Sequence, residues 1–139
     1  MKTLQQFQSE LESIIFEEAE TCIFYTRQDL RDLETFADRL LNKYGVDIEF
    51  TKHFGERLSD DRNRPCIKLA ELRSFFEKLE AQKAMKIKKH GRGEAVLVDL
   101  QKDLNMPVVI DMRGSGLEVR MKTIMRKKNF HTPDQKLTV

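Results

Sequence analysis

Apolar residues in the first half of the chain recur at intervals of three and four, the spacing that lines one face of a helix. Leu4, Phe7, Leu11, Ile14 and Ile15 predict an amphipathic helix over the first 20 residues. Leu30, Leu33, Phe36, Ala37, Leu40 and Leu41 predict a second, from Arg27 to Tyr44, closed by Gly45 where glycine commonly ends a helix. The period then changes. Val46-Asp47-Ile48-Glu49-Phe50 alternates apolar and polar, as a strand with one buried face does, and Thr51 can cap a short helix running to about Ser59. Beyond the charged loop Asp60 to Pro65, the residues Ile67, Leu72, Phe75, Phe76 and Leu79 mark one long helix, from Pro65 to about Lys88. His90-Gly91-Arg92-Gly93 reads as a turn. Three strands are expected near Glu94–Leu100, Pro107–Met112 and Leu117–Arg126, with a hairpin at Gly114-Ser115-Gly116 and an irregular tail from Lys127.

From residue 46 the order is β-α-α-β-β-β, which predicts an α+β fold with two helices on a small, mostly antiparallel sheet. The expected organisation is a helical arm over residues 1–44 and an α+β domain over 45–139.

Composition adds limits. A chain of 139 residues suits one domain with its own core. No stretch approaches the roughly 18 apolar residues of a membrane span, and the N-terminus lacks the apolar core of a secretory signal. Cys22 and Cys66 form no paired-cysteine motif and are expected as reduced thiols. Residues 1–44 carry 5 basic and 9 acidic side chains, whereas 45–139 carry 20 and 14, so a basic body follows an acidic arm. A basic body fits a polyanionic partner.

Within that body, His53, Glu56 and Arg57 sit three and four apart and project together from the short helix, while Phe54 and Leu58 face the core. On the last strand Arg120, Lys122 and Arg126 share one face, opposite Leu117, Val119, Met121 and Thr123, and Lys127 and Lys128 follow. Lys86, Lys88, Lys89 and Arg92 make a second basic stretch around the end of the long helix. These cations are the candidate nucleic-acid contacts. His53, His90 and His131 are far apart, and neither zinc spacing nor a phosphate loop occurs, so no metal or cofactor is expected. The chemistry left is metal-free cleavage of RNA by its own 2′-hydroxyl. That reaction calls for a base to take a proton, an acid for the leaving oxygen and cations to hold the phosphorane charge: His53 as base or acid, Glu56 or Glu77 as its partner or the second proton carrier, and Arg57, Arg120 and Lys122 as the cations.

The strand–helix–helix–three-strand order resembles the core of RelE-type ribonuclease toxins, and Phe50 to Leu58 (FTKHFGERL) resembles the catalytic-histidine motif of RegB-type phage endoribonucleases. The resemblance covers about residues 46–126. It implies an RNA-binding protein that cleaves RNA, with His53 as the family histidine and Arg57 as the arginine beside it. The second histidine of that family, late in the next helix, is missing here; in Leu72-Arg73-Ser74-Phe75-Phe76-Glu77-Lys78 the nearest proton carrier is Glu77. At the other end, MKTLQQF resembles the capsid-targeting leader of T-even phage internal head proteins, and Ile15-Phe16-Glu17 fits their processing rule, which implies removal of residues 1–17. KTIMRKKNF resembles the end of proteins from related phages of marine bacteria. Together these imply a phage protein acting in the host cytoplasm or packaged in the virion head. Its partner would be RNA, a host protein or the capsid interior, and no membrane is involved. The alternative they leave open is a packaged or host-directed binding protein without catalysis.

Overall fold

The computed structural model describes residues 24–139. The first predicted helix, the leader and its processing site, and Cys22 lie outside the described residues. Helix α1 (Arg27–Leu41) begins with a capping box: the Thr26 hydroxyl accepts from the Asp29 amide, and the Asp29 carboxylate accepts from the Thr26 amide. It buries Leu33, Ala37 and Leu41 and runs on through a short 3₁₀ turn, Asn42–Tyr44, to Gly45 in the left-handed conformation. Strand β1 (Val46–Phe50) and helix α2 (Lys52–Leu58) follow as the pattern predicts.

The single long helix expected next is two. Helix α3 (Leu69–Ala81) and helix α4 (Met85–His90) are separated by a tight turn in which Lys83 and Ala84 have φ of 56° and 52°. Strand β2 (Gly93–Asp99) and strand β3 (Leu104–Arg113) then form an antiparallel pair, and Gly114-Ser115 turns β3 into strand β4 (Gly116–Met121). The predicted last strand is also divided. The chain leaves the sheet after Met121, Ile124 is fully buried, and Arg126 belongs to a separate two-residue strand, β5 (Met125–Arg126), paired with Leu104 and Asn105. The tail is not wholly irregular, because β6 (Gln135–Thr138) pairs parallel with β2.

The sheet runs β1-β4-β3-β2-β6, with β5 beside β3. It is mixed rather than mostly antiparallel: β1 with β4 and β2 with β6 are parallel. Among the described residues the architecture is therefore α+β, four α-helices with an open six-stranded sheet. One continuous core joins α1 (Leu33, Ala37, Leu41), α2 (Phe54, Leu58), α3 (Phe75, Phe76) and the inward residues of the strands. Helix α1 and the 45–139 body thus share their interior. Cys66 is disulfide-bonded, not the reduced thiol expected from sequence.

Strand β1 is an edge, and unpaired edge amides invite pairing with another chain. Helix α1 supplies the cover: Asp38 accepts from the Ile48 amide at 2.7 Å and Glu34 from the Phe50 amide at 3.0 Å. Helices α1 and α2 also approach closely at Gly55, where an added Cβ would meet Leu30 Cδ1 at 2.7 Å. The atom met is the movable end of a half-buried side chain, and alanine gains about 1 kcal/mol of helix propensity over glycine. Gly55→Ala is therefore expected to shift unfolding stability by less than about 1 kcal/mol, whereas the bulkier Gly55→Leu loses about 1–3 kcal/mol. Urea titration of both variants measures this.

Candidate functional site: a basic hollow beside helix α2

Thr51 fixes the start of α2 to the end of β4. Its hydroxyl accepts from the Phe54 amide and is within donating distance of the carbonyls of Met121 (3.1 Å) and Lys122 (3.0 Å), while its amide donates to Met121. With Phe54 and Leu58 turned into the core, His53 and Arg57 are left on the face of α2 that looks toward residues 123–127. Arg57 Nε donates to His53 Nε2 at 3.3 Å. A guanidinium only donates, so Nε2 must accept, and the ring proton then sits on Nδ1, the nitrogen 3.9 Å from Glu56.

The loop after α2 folds back under the same face. Asp60 Oδ2 accepts from Arg57 Nη1 at 2.8 Å and pairs with Arg62 Nη2 at 2.9 Å. Asn63, only 5% exposed, donates to the carbonyls of Arg57 and Ile124 and accepts from the Arg126 amide, which clamps the loop onto 124–126. The result is an open hollow of about 530 Å³, with His53, Arg57, Arg62, Arg126 and Lys127 around a single carboxylate, Asp60.

The sequence-predicted residues divide accordingly. His53, Arg57, Arg126 and Lys127 come together at the hollow, with Glu56 beside His53 and the exposed Lys128 next in the chain. Arg126 is present but occupied. Its guanidinium, with a side chain only 9% exposed, gives its five N–H groups to both oxygens of Glu71 and to the carbonyls of Pro65, Cys66 and Lys102. It is a wall of the site, not a free phosphate contact.

Arg120 and Lys122 do not join His53. They alternate with the buried Val119 and Met121, so they stand on the sheet face turned away from the helices. There Arg120 pairs with Glu118 and Glu49, Lys122 with Glu94, and Arg113 with Asp47 and Glu118. Counting Asp111 and Lys136, the face carries five carboxylates and four cations among the described residues, a net negative surface poorly suited to a polyanion. Glu49 and Glu118 face each other across it: their mutual hydrogen bond raises the Glu49 carboxyl, helped by burial, and lowers Glu118 against its own burial, helped by Arg113 and Arg120. Glu77 is exposed on the side of α3 away from its buried stripe of Leu72, Phe75, Phe76 and Leu79. Lys86, Lys88, Lys89 and Arg92 are exposed on and just after α4, where Lys86 donates to the Thr138 carbonyl.

Asp60, Arg62 and Asn63 were not singled out from sequence. Their signal was the spacing of Arg57 and Asp60, three apart at a helix end, which lets the charged loop close onto the helix face. Among the described residues no three His, Cys, Asp or Glu side chains converge as metal ligands, and no helix is long and apolar enough to cross a membrane. No protein-family model, curated protein or solved structure matches the chain.

Proposed function

We propose that the protein binds RNA by seating a backbone phosphate in the hollow beside α2, and that His53 promotes metal-independent cleavage there. The observation that carries this reading is the convergence of one imidazole with Arg57, Arg62 and Lys127 around one carboxylate. A phosphate entering the hollow offers Arg57 a better acceptor than His53. The freed Nε2 then takes the proton of the 2′-hydroxyl, whose oxygen bonds to phosphorus as the 5′-oxygen leaves with a proton from a solvent water; the resulting hydroxide takes back the imidazolium's proton, and the product is a 2′,3′-cyclic phosphate. Arg57 and Lys127 face the charge that develops on the phosphorane. Arg120, Lys122 and Glu77 have no part in this version, and Glu56 orients the imidazole.

A second reading keeps the binding and drops the cleavage, as for a phage internal head protein or a host-directed factor. It is favoured by the state of the acids: Asp60 is tied to two arginines and Glu77 faces outward.

The test is an end-labelled single-stranded RNA incubated with the protein in excess chelator, beside its 2′-deoxy equivalent. Cutting of RNA alone, lost in His53→Ala while binding persists, is the expected result. Binding is expected to weaken with salt by about 0.7 log units per log unit for each phosphate neutralised, and Arg57→Ala/Arg62→Ala is expected to flatten that slope. Salt-dependent binding without cutting selects the second reading, and absence of both removes the RNA assignment.

A further inference from the structure

On the opposite side of α2 from the hollow lies a different cavity. It is an apolar groove of about 480 Å³ between α1 and α2, floored by Tyr25, Leu30, Phe50 and Gly55 and open along Phe24, which is 83% exposed. Its rim carries Arg27, Arg31 and Lys52, all exposed, together with Glu34, which is already engaged by the Phe50 amide, and Glu56. An aromatic and aliphatic surface of this kind, left open, marks a place where something apolar sits.

We infer that this groove is the docking site for the chain's own N-terminal segment, with Leu4, Phe7, Leu11, Ile14 and Ile15 in the groove and the segment's glutamates against the Arg27–Arg31–Lys52 rim. Three observations select that occupant. The segment ends where the groove begins, because Phe24, the first described residue, is part of the groove wall. The six residues 16–21 between Ile15 and Cys22, the chain's other cysteine and so the intrachain partner open to Cys66, span up to about 20 Å when extended, enough for the stripe to fold back. Finally, residues 1–23 carry one lysine and five glutamates, opposite in sign to the rim, and a tethered partner meets its site at an effective concentration on the order of millimolar. The groove shares Glu56 with the RNA reading but neither His53 nor Arg57, and the proposal makes no use of Glu56.

The chain has no tryptophan, so Phe7→Trp in the full-length protein creates a single reporter. Its emission is expected to be blue-shifted and weakly quenched by acrylamide, at every protein concentration. Adding Arg27→Glu/Arg31→Glu, two exposed positions, is expected to red-shift the emission and raise quenching several-fold, whereas the same reversal at Lys88 and Lys89 is expected to leave both unchanged. Three results would overturn the proposal: solvent-exposed tryptophan emission from the Phe7→Trp protein itself, burial indifferent to the Arg27 and Arg31 reversal, and burial that vanishes on dilution. The last would mean that the segment enters a second copy.

Discussion

Arg126→Ala is expected to destabilise the protein by about 3–5 kcal/mol, because it breaks a desolvated ion pair by removing one partner only. The loss is compound. Glu71 accepts from Nη2 at 2.7 Å and Nη1 at 3.0 Å, and without Arg126 it is left as a charge that is 16% exposed with no cation bonded at that distance. The carbonyls of Pro65, Cys66 and Lys102 lose their donor at the same time. Lysine cannot reproduce this, since a point charge with three donors does not match a planar five-donor fork, so Arg126→Lys is expected to recover little. Removing both charges, in Arg126→Met/Glu71→Leu, is expected to be milder than Arg126→Ala alone, because no uncompensated charge remains. Urea denaturation at pH 7 measures all three, and a loss below about 1 kcal/mol for Arg126→Ala would mean that the network is replaced by water at little cost. Because Arg126 and its amide anchor the 63–66 loop, the variant is also expected to loosen the wall of the basic hollow and weaken anion binding without touching His53.

The same pair sets an acid limit. Burial alone would raise the Glu71 carboxyl, but the Arg126 hydrogen bonds, the Lys68 amide, and the charges of Arg126 and Lys102 hold it below its ordinary 4.5. A carboxylate depressed in the folded state contributes stability that is complete above the unfolded value and lost as pH falls below 4.5 toward the folded one.

Local signals in the sequence hold where the chain obeys local rules. The stripe of Leu33, Ala37 and Leu41, the Thr51 cap and the alternation of Val46 to Phe50 all appear where the spacing put them. The breaks that went unseen are tertiary in origin. Lys83 and Ala84 take positive φ with no glycine or proline to announce it, so a continuous helical pattern hid the division of α3 from α4. In β4 the alternation fails beyond Met121, because Thr51 holds the carbonyls of Met121 and Lys122 and Asn63 holds that of Ile124, from residues 61 to 71 positions away. That one departure moves Arg126 off the cation row and into the pair with Glu71. For the site, the four-residue spacing of His53 and Arg57 was legible and the neighbours were not. A cation on a strand reads the same in sequence whether it faces a ligand or, like Arg120, a row of glutamates; only the pairing of β1 with β4 brings Glu49 to it.

Asp38→Asn is expected to stabilise the protein at pH 8 and leave it nearly unchanged at pH 4, the opposite of what losing a charged hydrogen-bond acceptor would ordinarily do. Burial pushes the Asp38 carboxyl up from 3.8 to about 6; the Ile48 amide opposes this, and the charge and hydrogen bond of Asp47 and the charge of Glu34 add to it. The folded chain therefore keeps this proton to higher pH than the unfolded chain. Stability from this group is greatest below 3.8, declines as pH rises, and is fully lost above about 6. The gap corresponds to at most about 3 kcal/mol, and because solvent reaches the carboxyl and Asp47 shares the titration, about 1 kcal/mol is the expected effect. Asparagine keeps an Oδ1 to accept from the Ile48 amide and removes the charge, so the decline between pH 4 and pH 8 should flatten relative to the parent. Asp38→Ala serves as the contrast: it removes the acceptor as well, uncovers the β1 edge, and is expected to lose about 1 kcal/mol at pH 4, where the charge is absent. Urea midpoints of the three proteins at pH 4, 6 and 8 decide the matter. If Asp38→Asn tracks the parent at every pH, the carboxyl is not held protonated in the fold, and the cover that α1 gives the edge strand is indifferent to its charge.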